Sequence, residues 1–242
     1  MLTHLQFKDH EALSDHTANL LTQALIAKRE LALCMASGHT PARTAELLVE
    51  KILQQEIDHS ELTFFGLDEW VGLPPANEGS CRYFFEQKMF RPLHLPSSQC
   101  HVFDGMATDH EGECRKMDGI IERKGIDIAV VGIGMNGHIG FNEPGTPFDV
   151  MCHLAELDTT TIHVGQKYFK EPTPLSKGIT IGFHHLMNAK QLILIANGAR
   201  KAEVIRRTLE GPITSDFPAS FIRKHPNAVM ITDFAASSLV GL

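Results

Sequence analysis

The order of apolar and amphipathic segments constrains the fold of this chain more than any other feature. Short apolar runs recur along it, at Leu31–Ala36, Thr63–Leu67, Ile126–Val131, Gln191–Ala196 and Ala228–Ile231. Runs of this length and composition are typical of strands buried in a parallel sheet. Because helical patterns lie between them, the chain is predicted to build parallel crossover units. We therefore expect an α/β fold, with a mainly parallel sheet and helices on both of its faces.

The predicted helices separate these strands. They cover Glu11–Lys28, Ala42–Gln54, Cys81–Met89, Glu111–Arg123 and Ala199–Leu209, and a short C-terminal helix is expected after the last strand. No internal repeat, low-complexity tract or Ser/Gly/Pro-rich linker interrupts this order. Residues 1–242 are therefore predicted to form a single domain.

Composition excludes several classes of protein. The formal net charge is −7, and Lys and Arg are scattered, which argues against a nucleic-acid partner. No apolar run approaches the roughly 20 residues that a membrane span requires, and Met1–Lys8 lacks the apolar core of a signal peptide. The five cysteines have no CxxC pair, so neither a disulfide framework nor a zinc site is indicated. A cytoplasmic protein without a membrane partner is expected.

The first loop of interest follows the strand Leu31–Ala36. In parallel sheets ligands bind beyond the carboxyl ends of the strands, so this loop and those after Leu67 and Val131 should converge. Free backbone N–H groups, hydroxyls and a helix N-terminus favour a phosphate site. The residues concerned are Ser37, Gly38, His39 and Thr40. The alternative is a turn capped by Ser or Thr.

The second loop carries two adjacent carboxylates, Asp68 and Glu69. Neighbours along an extended chain point to opposite sides, so one could face a ligand while the other is structural. An Asp here suits proton abstraction next to a carbonyl, provided that burial raises its pKa. The alternative is a capping Asp beside a solvated Glu.

The third loop is the glycine-rich segment 132–145, which contains His138 and Glu143. A His–carboxylate pair transfers protons near neutral pH. A dinucleotide site is the alternative, but it requires a helix soon after the glycines, whereas Asn-Glu-Pro-Gly indicates a continuing loop. A metal site built from these two residues and Asp68 has little support from spacing, so no metal is predicted.

Two lysines also indicate an anionic ligand. Lys201 follows a strand and lies in the first turn of a predicted helix, where a cation is unexpected unless something negative is bound there. Lys167 lies in the segment His163–Phe169. The alternative is that both are solvated.

Taken together, these loops resemble the glucosamine-6-phosphate deaminase/isomerase family over nearly the whole chain. The matching segments are 37–41, 68–74, 134–144, 178–182 and 198–202. The resemblance implies a three-layer Rossmann-like domain. The related 6-phosphogluconolactonases share the glycine-rich strand end and the His, but typically lack the Phe-Asn-Glu-Pro and Val-Gly-Leu-Pro stretches present here. That difference favours the deaminase/isomerase branch.

The resemblance also implies roles. Asp68 would be the base that moves a proton between C2 and C1, and His138 would exchange a proton with the ring oxygen, oriented by Glu143. Ser37 to Thr40, with Lys201, would hold the 6-phosphate. Lys167 stands where the family usually has an Arg, and it keeps the charge without the bidentate fork. The partner would be a small sugar phosphate, with no cofactor, and a homo-oligomer is expected only by analogy.

Asn136 departs from the family pattern, because deaminases of glucosamine 6-phosphate usually have an Asp there, paired with the His. A neutral amide cannot stabilise the imidazolium through charge. Asn136 and the stretch 152–158 look more like galactosamine-6-phosphate deaminase/isomerases. The preferred prediction is therefore galactosamine 6-phosphate giving tagatose 6-phosphate and ammonia, and the alternative is glucosamine 6-phosphate giving fructose 6-phosphate.

Two further classes stay open, a 6-phosphogluconolactonase-like hydrolase and a non-catalytic sugar-phosphate sensor. Glu143 counts against the hydrolase. A sensor needs neither a base nor a proton shuttle, so Asp68 and His138 count against that class. The arginine-rich run that binds an N-acetylated activating sugar in allosteric relatives is missing from 148–153. No such activation is expected.

Overall fold

The structure, a computed structural model, describes residues 2–241. Its strands are β1 Thr3–Phe7, β2 Ala32–Met35, β3 Thr63–Gly66, β4 Asp68–Trp70, β5 Cys100–His101, β6 Ile128–Val131, β7 His153–Glu156, β8 Lys177–Thr180, β9 Gln191–Ala196 and β10 Ala228–Asp233. Its α-helices are α1 His10–Ala27, α2 His39–Gln54, α3 Cys81–Phe85, α4 His110–Lys124, α5 Thr159–Gly165, α6 Phe183–Met187 and α7 Ala202–Glu210. Short 3₁₀ turns precede β5, follow α5 and precede α7 and β10.

Seven strands form one parallel sheet in the order β1-β10-β9-β6-β2-β3-β5. Every strand predicted from an apolar run lies in this sheet, so the predicted α/β architecture is confirmed. The edge strands β1 and β5 and a separate antiparallel sheet, β4-β8-β7, were not predicted. These strands are short or only partly buried, so they lack a continuous apolar pattern.

Side chains along the central strands point alternately to the two faces of the sheet, and this divides the core into two layers. In β2, Leu33 and Met35 pack with the buried faces of α1 and α2. Ala32 and Cys34 point to the other side, where α4, α6 and α7 supply the apolar residues. Side chains of successive strand residues point to opposite faces, so a wholly apolar strand can fill both layers. Helices therefore cover both faces of the sheet, as the sequence predicts.

The prediction of a C-terminal helix is wrong, because residues 234–239 form consecutive turns. The Asp233 carboxylate accepts hydrogen bonds from the backbone N–H groups of Gly198 and Ala236, at 3.0 and 2.7 Å. The Ser237 and Ser238 hydroxyls donate to backbone carbonyls at 2.9 and 3.0 Å. Side chains that bind nearby backbone groups compete with helical hydrogen bonds, so a six-residue segment settles into turns.

Three helix boundaries also differ from the prediction. Helix α7 begins at Ala202 rather than Ala199, after a 3₁₀ turn. The segment Cys81–Met89 is divided into α3 and a π-helical turn at Glu86–Phe90. Helix α2 begins at His39 rather than Ala42, which leaves Pro41 in the first turn, where its missing N–H costs nothing. No helix among residues 2–241 has the length and apolar composition needed to cross a membrane.

Candidate active site

One cavity lies where the loops after β2, β3 and β6 meet. Of the ten residues predicted for the site, the cavity is lined by Ser37, Gly38, His39, Thr40, Asp68, His138, Lys167 and Lys201. The other two, Asn136 and Glu143, contact His138 rather than the cavity. The carboxyl ends of parallel strands share one edge of the sheet, so distant sequence segments converge there.

Asp68 is the first residue of β4 and pairs with Thr180 of β8. Burial raises the pKa of its carboxyl to about 7, and the neighbouring charge of Glu69 acts in the same direction. The Cys81 thiol donates a hydrogen bond to Asp68 Oδ1 at 3.5 Å and opposes that rise. A carboxyl whose pKa lies near neutral pH is suited to act as a general base.

Glu69 points away from the cavity and is 2% exposed. Its carboxylate accepts hydrogen bonds from Ser80 Oγ at 2.8 Å and from the backbone N–H groups of Cys81 and Arg82 at 3.0 and 2.9 Å. These donors lie at the N-terminus of α3, so Glu69 caps that helix and holds it against β4. Of the two carboxylates, Glu69 is the structural one and Asp68 is the one that faces the cavity. The alternative of a solvated Glu is wrong.

The ring of His138 rests against the backbone at Gly134. A Cβ atom at position 134 would lie 2.4 Å from His138 Nε2, so only glycine permits this approach. His138 Nδ1 lies 2.9 Å from Thr161 Oγ1 and 3.3 Å from Glu143 Oε2. A carboxylate facing Nδ1 favours the tautomer with the proton on that nitrogen. Nε2, which has no hydrogen-bond partner within residues 2–241, is then free to exchange a proton with a ligand.

Asn136 holds this arrangement together without touching the imidazole ring. Its Nδ2 donates to Glu143 Oε2 at 2.8 Å, and its Oδ1 accepts from the backbone N–H of His138 at 3.2 Å. Burial of Glu143 opposes ionisation, but the hydrogen bonds from His138, Thr161 and Asn136 outweigh it and keep the pKa of this carboxyl below its usual range. Glu143 is therefore a carboxylate that orients His138.

Two lysines make part of the cavity lining basic. Lys201 lies between Gly198 and α7, and its ammonium group donates to the carbonyl of Ile133. Burial lowers the pKa of Lys201 to about 8, and the nearby charge of Lys167 adds to the effect. Among the described residues, no carboxylate forms an ion pair with the ammonium group of Lys201 or Lys167. Two unneutralised cations beside the N-terminus of α2 form a site suited to an anion.

The cavity residues that were not predicted from the sequence include Thr161, Cys81 and Tyr168. Thr161 lies in the run Thr159-Thr160-Thr161, and nothing in that run shows which hydroxyl faces a histidine 23 positions away. Tyr168 adjoins Lys167, which was the available signal. Burial raises the pKa of the Tyr168 phenol to about 12, so the hydroxyl stays neutral.

The glycine-rich loop continues without a helix from Gly132 to Val150. This was the expectation that argued against a dinucleotide site, and it is confirmed. Fold and site together define an α/β protein whose cavity brings together a carboxyl of raised pKa, a histidine held by a carboxylate, and two lysines without carboxylate partners among the described residues.

Comparison with known proteins agrees with this class. Residues 8–231 match the family described as glucosamine-6-phosphate isomerases/6-phosphogluconolactonase. The chain is 40% identical to a glucosamine-6-phosphate deaminase of Lachnoclostridium phytofermentans, over 92% of this chain and 95% of the relative. It is 38% identical to one of Shouchella clausii, over 97% and 96% of the two chains.

Solved structures show the same relationship. A protein described as a monomeric glucosamine-6-phosphate deaminase superposes with a TM-score of 0.95 at 31% identity, covering 98% of this chain and 100% of the other. The 6-phosphogluconolactonase of Trypanosoma cruzi gives a TM-score of 0.81 at 17% identity, over 100% and 98%, which shows a shared fold alone. The chain belongs to the family of glucosamine-6-phosphate isomerases and 6-phosphogluconolactonases. It is an enzyme of the amino-sugar-phosphate deaminase/isomerase kind.

Proposed function

We propose that this enzyme converts glucosamine 6-phosphate and water into fructose 6-phosphate and ammonia. The observation that carries the proposal is the pairing, in one cavity, of Asp68, whose pKa is about 7, with the half-buried ammonium group of Lys201. A sugar phosphate presents both functions, an acidic C–H next to a carbonyl and a dianion at the other end of the molecule.

The residues divide the chemistry between them. His138, through Nε2, exchanges a proton with the ring oxygen, so that the ring opens to the aldehyde. Asp68 then removes the proton from C2, which gives an enolamine, and returns it to C1. The resulting imine at C2 takes up water and releases ammonia, leaving the ketose. Thr161 and Glu143 keep the His138 ring in place during the first step.

The proposed sugar is supported by the positions of the residues that resemble those of galactosamine-6-phosphate enzymes. Asn136 and the stretch 152–158 favoured galactosamine 6-phosphate on sequence grounds, yet none of them lines the cavity. Asn136 contacts Glu143 and the backbone of His138, so it cannot read the configuration at C4 directly. The similar relatives are named for glucosamine 6-phosphate. Both observations support the glucosamine sugar over the galactosamine prediction.

The proposal is tested by incubating the enzyme with glucosamine 6-phosphate, galactosamine 6-phosphate and 6-phosphogluconolactone while measuring ammonia, ketose and acid release. We expect ammonia and fructose 6-phosphate in equal amounts, with a higher kcat/KM for glucosamine 6-phosphate than for its epimer. A higher kcat/KM for galactosamine 6-phosphate would reverse the choice of sugar. Ammonia from neither amino sugar would overturn the proposed reaction.

Thr161→Val, which removes the hydroxyl at nearly constant volume, is expected to lower kcat about 2- to 10-fold. The 2.9 Å contact to His138 Nδ1 is lost, and one such hydrogen bond is worth roughly 0.5–1.5 kcal/mol. Thr161→Ser keeps the hydroxyl and should restore most of the rate. KM should change little, because the hydroxyl acts on His138 rather than on the sugar. Equal rates for the Val and Ser variants would contradict this positioning role.

Four expectations stay predictions. They are the single domain over residues 1–242, the cytoplasmic location, the absence of activation by an N-acetylated sugar phosphate, and a homo-oligomer. The last was expected by family analogy alone, and a relative of very similar structure is described as monomeric.

A further inference from the structure

A second cluster of reactive side chains lies outside the catalytic cavity. Asp118 of α4, Cys152 just before β7 and His185 of α6 each offer one donor atom, and the three atoms lie within 4.8 Å of one another. His185 Nε2 is 2.8 Å from Asp118 Oδ1. Cys152 and His185 are only 7% and 5% exposed, and none of the three lines the catalytic cavity.

Close backbone packing brings these elements together. A Cβ atom at Gly182 would lie 2.0 Å from the Met151 carbonyl oxygen, so only glycine lets the connection between β8 and α6 approach the segment before β7. The backbone N–H of His184 also donates to the Val150 carbonyl at 2.9 Å. These two contacts give Gly182, the last residue of the segment 178–182, a structural role outside the catalytic cavity.

We propose that Asp118, Cys152 and His185 form a binding site for a borderline-soft divalent cation of the Zn²⁺ type. One thiolate, one imidazole and one carboxylate are the donors that Zn²⁺ accepts. The donor atoms need to move by less than about 1–2 Å to reach tetrahedral spacing, since Zn–ligand bonds are roughly 2.0–2.3 Å long. Binding through Cys152 Sγ, His185 Nε2 and a carboxylate oxygen of Asp118 releases the thiol proton to solvent. The proton shared between Nε2 and Asp118 Oδ1 moves to Nδ1 of the ring or to solvent, so that hydrogen bond is replaced by the Zn–N bond.

The surroundings supply the rest of such a site. The backbone N–H of Cys152 donates to Asp118 Oδ1 at 2.9 Å. Partners of this kind orient ligands and tune their basicity. The Asp118 side chain is 16% exposed while that of His185 is 4% exposed, so entry of the ion and a water as fourth ligand are expected on the Asp118 side.

The ion would connect three segments that are distant in sequence, and its effect is therefore on stability. A ligand that binds only the folded chain raises the melting temperature by mass action. Zn²⁺ at about 100 times its Kd is expected to raise Tm by roughly 5–10 °C for a chain of this size. Because the cluster shares no residue with the cavity, stripping the ion should leave turnover of the amino-sugar phosphate unchanged.

The test uses the untagged, full chain stripped with a chelator and titrated with Co²⁺, which replaces Zn²⁺ and shows a charge-transfer band when bound to thiolate. The wild type should develop this band with one Co²⁺ per chain, and Zn²⁺ should abolish it by competition. Cys152→Ser should lose the band, whereas Cys100→Ser, on the distant edge strand β5, should keep it. The chain has 14 histidines, so Co²⁺ is expected to bind at other positions too. Those ions do not produce the thiolate band, so the band reports only the Co²⁺ that is bound to a cysteine.

Asp118→Asn protects the test against misfolding, because its amide oxygen can still accept the Cys152 N–H. It should fold as the wild type does by circular dichroism and bind Co²⁺ at least about 10- to 100-fold more weakly. Absence of a thiolate band in the wild type, or an undiminished band in Cys152→Ser or Asp118→Asn, would overturn the proposal. None of these results depends on the sugar that the enzyme accepts, so the proposed function and the metal site fail separately.

Discussion

Asp68→Asn is expected to lower kcat by about 100- to 10,000-fold, the usual contribution of a general base, while KM for the amino-sugar phosphate stays nearly constant. The amide keeps the shape of the carboxylate but cannot take the proton from C2, so the loss falls on the transition state. Steady-state kinetics on glucosamine 6-phosphate measures both parameters. The exposed carboxylate Glu122, replaced in Glu122→Gln, is the control and should change neither. A variant that kept most of its kcat would remove Asp68 from the role of base.

The same substitution should also stabilise the protein. The pKa of Asp68 is raised to about 7 in the folded chain, mainly by burial, so its ionisation opposes folding above the ordinary Asp value of about 4. That cost is absent below pH 4, grows as the pH rises and is complete above about pH 7. It is on the order of 3–4 kcal/mol at most, since the carboxyl lines a cavity open to water.

We therefore expect the Asp68→Asn variant to melt several degrees above the wild type at pH 8, with the difference shrinking towards pH 5. Melting curves of both proteins at the two pH values measure it. A variant less stable than the wild type at pH 8 would show that the carboxylate is stabilised rather than strained by its surroundings.

Lys201→Met is expected to raise KM about 10- to 100-fold, because a hydrogen bond to a charged group is worth roughly 1.5–3 kcal/mol. The phosphate lies away from the reacting carbons and is bound equally in the ground and transition states, so kcat should fall much less. The variant should also lose most of its preference for glucosamine 6-phosphate over unphosphorylated glucosamine. Lys124→Met, exposed at the end of α4, is the control. An unchanged KM would place the phosphate elsewhere.

The pH dependence of kcat/KM is a second test of the roles proposed for Lys201 and Asp68. With the pKa of Lys201 lowered to about 8 by burial, the free enzyme loses this cation as the pH rises, so kcat/KM should fall above about pH 8. At pH values below about 7 Asp68 takes up a proton and can no longer act as a base, so kcat/KM should fall there as well. The alkaline fall should be absent from Lys201→Met, while the acid fall remains.

The sequence predicted the strands of the central sheet well and the edges of the fold poorly. Strands β2, β3, β6, β9 and β10 are buried on both faces, so each is a continuous apolar run that can be recognised without a partner. The antiparallel sheet β4-β8-β7 is partly exposed, and its strands pair across large separations in the chain. Its existence depends on neighbours that the local sequence does not name.

The candidate site shows the same division. Asp68, His138 and the loop Ser37–Thr40 could be found because strand ends converge at one edge of a parallel sheet. Their partners could not, since Thr161 reaches His138 from α5 and Cys81 reaches Asp68 from α3. Asn136 was placed with the catalytic residues beside His138 and linked by resemblance to the choice of sugar, and its contacts are with Glu143 and the backbone of His138.

By itself, then, the sequence determined the α/β class and the loops that line the cavity, because apolar periodicity and loop composition are local properties. The kind of reaction was indicated by its resemblance to a known family. The tertiary structure decided which side of β4 each carboxylate faces, which charges stay unneutralised, and that Asp118, Cys152 and His185 meet. The cysteine spacing gave no sign of that cluster. Desolvation and donor geometry arise from segments packed against one another, and no single stretch of chain contains them.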